Sequence, residues 1–313
     1  MTATRPVIGF YSEFDDPIIW RARLEDELPD FTFEILRSDD AKEVRYALVW
    51  NPPHGLLSKL KGLEAIFVLG AGVDALLTDP SLPNVPIIRL QDAGMGIQMA
   101  HYVAYGVLRF QREFAVYERQ QASRDWNPLL NIEPIESFGV GVLGLGAIGS
   151  RVVETMGHLG FPARGWSASG RSARPIETLS GDSGLKTLLT CSRVLVNLLP
   201  LTPNTERFYD KNFFDQIKPG TFFINLGRGN HVVEDDLIQA LDANVLSGAL
   251  LDVFNQEPLQ STSALWHHPK VLITPHVSGL TNATMAMDQI ISNLKLIEAG
   301  SKPTGLVNRQ QGY

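Results

Sequence analysis

A chain of 313 residues, 44% hydrophobic and 19% charged, has ordinary globular composition and length enough for two domains with sizeable cores. Its formal net charge of −7 argues against nucleic acid or an anionic membrane as a general partner, so an anionic substrate must be met by a local cation. Cys191, the single cysteine, excludes an intramolecular disulfide and a cysteine-based metal cluster, and no metal is expected. Met1-Thr-Ala-Thr-Arg-Pro6 leads into a strand pattern without a signal-type apolar region, and no run of about 18 apolar residues occurs, so a soluble, cytoplasmic protein is expected.

In chain order, short apolar or β-rich runs fall at residues 7–11, 33–36, 46–50, 65–69 and 87–89, with helical patterns such as 20–28 between several of them. Strand alternating with helix predicts a parallel sheet. Loops follow two of these strands, at Trp50-Asn-Pro-Pro53 and Gly70-Ala-Gly-Val-Asp74. Residues 96–124 read as one long helix. Its Tyr102, Tyr105, Leu108, Phe110, Phe114 and Tyr117 are spread around the axis, which implies burial on more than one side, the second supplied by a partner subunit. A second α/β series then has strands at 138–143, 162–166, 194–198, 221–226, 246–252 and 271–274. The last helix, near 283–300, is expected to pack back on the first unit. The expected domains are 1–95 with 283–313, discontinuous, and 96–282, which carries the long helix 96–124.

The strand at 138–143 runs into Gly144-Leu-Gly-Ala-Ile-Gly149 and then into a helical stretch. The three glycines fit the dinucleotide fingerprint: Gly144 for a tight turn, Gly146 for close approach to a pyrophosphate, Gly149 for packing of helix on strand. The first helical residues, Ala147 and Ile148, offer free N–H groups to an anion. A glycine-rich turn alone is weak; this one follows a strand and opens a helix, the context that gives it weight.

Three later strands also end in polar residues. The run at 221–226 is followed by Gly227-Arg228-Gly229, the run at 246–252 leads to Glu257-Pro258, and the run at 271–274 leads to Pro275-His276. Ligands of an open parallel sheet bind beyond the carboxyl ends of its strands, so an arginine, a carboxylate and a histidine converge near the fingerprint turn. Singly, each has a plain explanation as a loop cation, a loop end or a packed histidine. Together, after successive strands, they form a candidate site. His54, His101, His158, His231, His267 and His268 lack that setting and read as surface or packing residues.

These strings resemble the D-isomer-specific 2-hydroxyacid dehydrogenases. The resemblance rests on Gly144–Gly149, Asn197-Leu-Leu-Pro-Leu-Thr-Pro-Asn-Thr205, Asn225-Leu-Gly-Arg-Gly229, Leu251-Asp-Val-Phe-Asn-Gln-Glu-Pro258 and Pro275-His276. Longer strings such as Tyr46–Pro53, Leu69–Asp74, Gly94–Met99 and His231–Asp236 are similar to a bacterial reductase branch of that family, and the likeness covers the whole chain. It implies an α/β fold of two Rossmann-like domains with parallel sheets and a cleft between them, and a homodimer joined through the long helix. It also implies reduction of a short 2-oxo acid such as glyoxylate or hydroxypyruvate to the 2-hydroxy acid.

By that resemblance Arg228, Glu257 and His276 are the catalytic set. Arg228 would hold the substrate carboxylate and polarise the carbonyl. His276 would donate the proton, since a free imidazole titrates at about 6.5, and Glu257 would orient the ring and favour its charged form. Leu199, Pro200, Thr205 and Leu226 fall in motifs that flank the cofactor, and Asp252 is expected to receive the nicotinamide amide or else to hold a loop. Ala71, Gly72 and Val73 offer amides to a carboxylate, with a plain turn as the alternative. Trp50 reads either as a pocket wall or as a core residue.

NAD-specific folds place an acidic residue about 20 positions past the glycines, whereas a nearby arginine accommodates the 2′-phosphate of NADP. Residues 160–176 hold no carboxylate; Ser167, Arg171 and Arg174 are present instead, so NADP(H) is expected over NAD(H), with the contacting arginine undecided. Two other readings remain at this level. One is a dehydrogenase that oxidises a bulkier D-2-hydroxy acid such as 3-phosphoglycerate; the other is a nucleotide-sensing binding module of the corepressor type.

Overall fold

A computed structural model describes residues 5–313. Residues 1–4, where the stretch read as free of a signal region begins, lie outside the described residues. Two compact units emerge, one running to Gly94 and resuming at Thr281–Tyr313, the other comprising Met95–Leu280.

The first unit is built on β1 (Val7–Tyr11), β2 (Thr32–Ile35), β3 (Tyr46–Val49), β4 (Ala65–Val68) and β5 (Ile87–Arg89). Its sheet order is β2-β1-β3-β4-β5, with every pair parallel. Every residue of β3 and β4 is buried, as expected of inner strands covered on both faces. Helix α1 (Pro17–Glu27) starts where Asp16 accepts the Ile18 N–H and Pro17 supplies a pre-set φ. It buries Trp20 and Leu24, the indole 5.6 Å from the Phe10 ring. Two short helices, α2 (Leu56–Lys59) and α3 (Asp74–Leu77), follow β3 and β4.

The second unit opens with a correction. The single helix expected over 96–124 is two helices, α4 (Met95–Gln111) and α5 (Phe114–Ser123). Glu113 between them has a left-handed φ of 55°, and an Arg109–Glu118 ion pair spans the bend. Neither Gly nor Pro marks the break, so the sequence carries no local signal for it.

Seven strands follow: β6 (Val140–Leu143), β7 (Ala163–Trp166), β8 (Thr178–Leu179), β9 (Val194–Asn197), β10 (Thr221–Asn225), β11 (Leu246–Leu251) and β12 (Val271–Ile273). All pair in parallel, in the order β12-β11-β10-β9-β6-β7-β8. Strand order reverses between β6 and β9, so the fingerprint strand borders the topological switch point. The two-residue β8 is too short to leave a pattern and was not expected.

Between the strands lie α6 (Ala147–His158), α7 (Gly181–Cys191), α8 (Lys211–Phe214) and α9 (Glu234–Asp242). Helices α4 and α6 form one core, with Met99, Val103, Val107, Val152 and Met156 against Val142 and Ile224. Helices α7, α8 and α9 form another, with Leu188, Phe213, Phe214 and Leu237 against Leu195 and Phe223. Each such large aliphatic or aromatic side chain contributes about 1.5–3 kcal/mol on burial. Helix α10 (Ala283–Glu298), capped by Asn282, belongs to the first unit and packs on α1.

Candidate active site

The turn after β6 is set by what its glycines lack. Gly144 has φ +100°, a backbone that favours glycine, and a Cβ there would lie 2.4 Å from the Leu198 carbonyl oxygen. A Cβ on Gly149 would meet the Gly144 carbonyl oxygen at 1.8 Å, so this position packs helix on strand. Around Gly146 nothing lies within 4 Å of the Cβ position, and as the first cap of α6 it makes no side-chain capping bond. The first-turn N–H groups of Ala147, Ile148 and Gly149 have no acceptor within the helix and stand at its positive end, beside exposed Gly146. This cradle fits the pyrophosphate of a dinucleotide.

The loop after β7 closes against the same turn. The Ser167 hydroxyl donates to the Arg171 carbonyl at 2.7 Å, and the Ala173 N–H donates to the Leu145 carbonyl at 3.0 Å. The two arginines differ in their surroundings. Arg174 Nη1 lies 2.9 Å from Glu154 Oε2, whereas Arg171 is exposed and forms no ion pair among the described residues. After β9, Thr205 Oγ1 donates to the Pro200 carbonyl at 2.6 Å and closes the loop beside buried Leu199; Leu226 is likewise buried at the end of β10.

Arg228 follows β10. Its Nη1 donates to the Gly227 carbonyl at 2.9 Å, and a Cβ on Gly229 would fall 1.8 Å from the Phe254 carbonyl carbon, so the turn tolerates only glycine there. Glu257 Oε1 accepts the Phe254 N–H at 3.0 Å, which aims the carboxylate, and Oε2 lies 2.7 Å from His276 Nδ1. Burial alone would raise the Glu257 carboxyl. The His276 hydrogen bond, the Phe254 amide and the positive charges of His276 and Arg228 outweigh it and hold the group below the usual carboxylate range. With Nδ1 on the carboxylate, the His276 ring presents Nε2 for proton exchange. The carboxylate, the imidazole and a nearby guanidinium can thus hold an anion and move a proton.

A sequence profile described as "D-isomer specific 2-hydroxyacid dehydrogenase, NAD binding domain" matches residues 105–278, more than half of the chain. The chain belongs to the D-isomer-specific 2-hydroxyacid dehydrogenase family. The glyoxylate/hydroxypyruvate reductase A of Photorhabdus laumondii is 40% identical over 314 residues, covering 98% of this chain and 99% of that relative. Its counterpart in Yersinia enterocolitica is 38% identical over the same shares. A D-isomer specific 2-hydroxyacid dehydrogenase from Xanthobacter autotrophicus, solved with NADPH and MES, is 36% identical. It has a TM-score of 0.93 over 99% of this chain and 100% of that one. An NADPH-dependent glyoxylate/hydroxypyruvate reductase from Sinorhizobium meliloti, solved with NADP and sulfate, is 31% identical. Its TM-score is 0.91 over 98% and 100% of the two chains.

In this dehydrogenase, Asp252 holds the loop after β12. It is fully buried: Oδ1 accepts from the Thr274 hydroxyl at 2.6 Å and the Val277 N–H at 2.9 Å, and Oδ2 accepts the Ser278 N–H at 2.9 Å. That loop includes His276, whose left-handed φ of 55° is uncommon for a residue with a Cβ. Its N–H donates to the Asp252 carbonyl at 2.8 Å. Tyr102 on α4 hydrogen-bonds Thr274, and burial pushes its phenol up to about 12. In sequence Tyr102 reads only as a helix aromatic and Thr274 only as a strand end, since hydroxyls that touch other side chains leave no motif.

In the first unit, Trp50 is half-buried with its ring against Gly70, where a Cβ would lie 2.1 Å from Cζ3. Val73 is buried, and the N–H groups of Ala71, Gly72 and Val73 find no acceptor among the described residues. Arg89 Nη1 braces this loop through the Ala71 carbonyl at 3.3 Å.

Proposed function

We propose that this protein reduces small 2-oxo acids, glyoxylate and hydroxypyruvate, to glycolate and D-glycerate with NADPH. The observation that carries the reading is the Glu257–His276 pair at 2.7 Å, on the same sheet ends as Arg228 and the fingerprint turn. When bound, the dihydronicotinamide supplies a hydride to the carbonyl carbon. Arg228 holds the substrate through charge-assisted hydrogen bonds to its carboxylate and carbonyl oxygens and polarises the carbonyl. The His276 imidazolium donates its Nε2 proton to the oxygen as charge develops there. Glu257 stabilises that imidazolium and fixes which nitrogen faces the substrate.

The turn Gly144 to Gly149 would hold the pyrophosphate, with Leu199, Pro200, Thr205 and Leu226 flanking the cofactor. Ser167 and Arg171 would meet the 2′-phosphate; Arg174, already paired with Glu154, would brace the loop. The first unit would be the substrate domain, with the amides of Ala71, Gly72 and Val73 offered to a carboxylate and Trp50 limiting substrate size.

A homodimer in the cytoplasm completes the reading. Tyr105, Leu108 and Phe114 are exposed on α4 and α5, and Trp126 and Leu130 in the following loop are 97% and 86% exposed. Apolar side chains so placed are covered by an interface of about 1,200–2,000 Å² in a stable complex. Sedimentation should give twice the chain mass, and Tyr105→Glu should shift it toward the monomer.

The direct test follows absorbance at 340 nm with glyoxylate or hydroxypyruvate, comparing NADPH with NADH. Turnover with a preference for NADPH is expected. No oxidation with any 2-oxo acid would overturn the reading and favour a nucleotide-sensing module.

A further inference from the structure

Behind Arg228 lies a set of buried polar side chains that carries no assigned role. Asn197 ends β9, Asn225 ends β10, and both are buried together with Tyr209 and His231. Asn197 Nδ2 has two hydrogens; one goes to Asn225 Oδ1 and the other to His231 Nδ1, each at 2.8 Å. Its Oδ1 accepts from the Tyr209 hydroxyl at 2.9 Å and the Leu199 N–H at 3.0 Å, so the amide has one orientation. Asn225 Oδ1 also accepts the Gly227 N–H at 3.2 Å, and its Nδ2 donates to the Arg228 carbonyl at 3.1 Å.

His231 completes the grip. Its Nδ1 accepts the Arg228 N–H at 3.2 Å, so the ring proton sits on Nε2, which donates to the Pro200 carbonyl at 3.2 Å. One neutral imidazole in one tautomer therefore ties the Arg228 turn to the loop after β9. Gly227 permits this closeness, since a Cβ there would lie 2.9 Å from Asn197 Nδ2 and 3.2 Å from the His231 ring. Inside a dry interior such a bond is worth more than at the surface, and breaking it strands a buried donor.

We infer that His231 is a positioning residue for substrate binding. Fully buried, it fixes the backbone from which the Arg228 guanidinium reaches the substrate carboxylate, and it couples that turn to the Pro200 loop. The inference rests on the reading that Arg228 binds the substrate.

Two variants separate the roles of the ring's two nitrogens. His231→Asn keeps an acceptor near the Nδ1 position, while His231→Gln keeps a donor near Nε2 and removes that acceptor. With NADPH and glyoxylate, His231→Gln should raise KM for glyoxylate about tenfold, the size expected when a buried N–H loses its acceptor. His231→Asn should stay within about threefold of wild type, as should the NADPH Kd of both variants. Equal losses in the two variants, or a fall in kcat that tracks Tm with KM unchanged, would overturn it. Amide hydrogen exchange measured without substrate gives a second readout. The Arg228 N–H should exchange about tenfold faster in His231→Gln than in wild type or His231→Asn, and unchanged exchange sinks the inference. Should His231→Gln fail to fold, fast exchange of the Arg228 N–H in the wild-type protein would do the same. If wild type turns over no 2-oxo acid, the functional reading fails, while exchange still decides whether His231 fixes this turn.

Discussion

At the β6–β7 side of the dinucleotide domain, the surface offered to a ligand is backbone: Gly146 without a neighbour at its Cβ position, and the uncapped first turn of α6. At the β10–β12 side it is side chain: Arg228, Glu257 and His276, each aimed by a buried or backbone partner behind it. The first half depends on atoms that are missing and tolerates almost no addition. The second depends on charged groups held in one geometry, and its tolerance is decided by residues that touch no ligand. A backbone site is therefore local in sequence, while a side-chain site draws its support from several strands at once.

Substitutions test that contrast, starting with the largest expected effect. His276→Ala or His276→Asn should lower kcat about 10²–10⁴-fold, as loss of a general acid does, while NADPH titration stays near wild type. Near-wild-type turnover would remove His276 from that role. Arg228→Ala should cost about 10²–10³-fold in kcat/KM for glyoxylate through loss of a charge-stabilising donor, again with NADPH affinity retained.

On the backbone side the readouts exchange places. Gly149→Ala forces a Cβ to 1.8 Å from a carbonyl oxygen, so NADPH binding and Tm should fall together. An unperturbed NADPH Kd in that variant would show that the turn is not the cradle. Arg171→Ala should weaken NADPH about 10–100-fold and leave NADH nearly unchanged, the range for a charged hydrogen bond. Arg174→Ala should change NADPH affinity by less than about threefold, because it removes a half-exposed pair with Glu154. Equal losses in the two would assign the phosphate to both arginines.

The smallest effect concerns pH. The Glu257 carboxyl is held below its ordinary value of 4.5, so the folded state favours the charged form. Its contribution to stability is whole above 4.5 and is lost as pH falls through the depressed folded value. Glu257→Gln should therefore lower Tm at neutral pH by no more than about 4 °C, since a pair this exposed is worth little. The gap from wild type should close in strongly acidic buffer. A gap that widens on acidification would reverse the sign.

The α/β class was legible because inner strands such as β3, β4 and β9 are continuous apolar runs and the helices between them carry periodic patterns. Gly144, Gly146 and Gly149 were legible because their spacing is a local demand of one turn. Asn197, Asn225 and Tyr209 were not, although the two asparagines stand inside motifs that carry the family resemblance. Their job appears only when β9 and β10 lie side by side with Asn197 opposite Asn225. His231 reads as a packing residue in sequence and is one, but its two ring nitrogens acquire meaning from Arg228 and Pro200. The bend at Glu113 was invisible for a similar reason: Arg109 and Glu118 on separate helices span it.

By itself, the sequence determined the periodicity that makes parallel strands and helices, the glycine turn that leaves amides bare, and which strand tips carry a guanidinium, a carboxylate and an imidazole. Those features arise from short-range sterics and hydrophobic patterning, which a few neighbouring residues settle. Only the tertiary structure decided that Glu257 meets His276, that Asp252 holds the His276 loop, that Glu154 takes Arg174 rather than Arg171, and that a buried imidazole stands behind Arg228. Such pairings are chosen where distant strands dry out one another's polar groups, and a buried donor must then find whatever acceptor the fold has brought within reach.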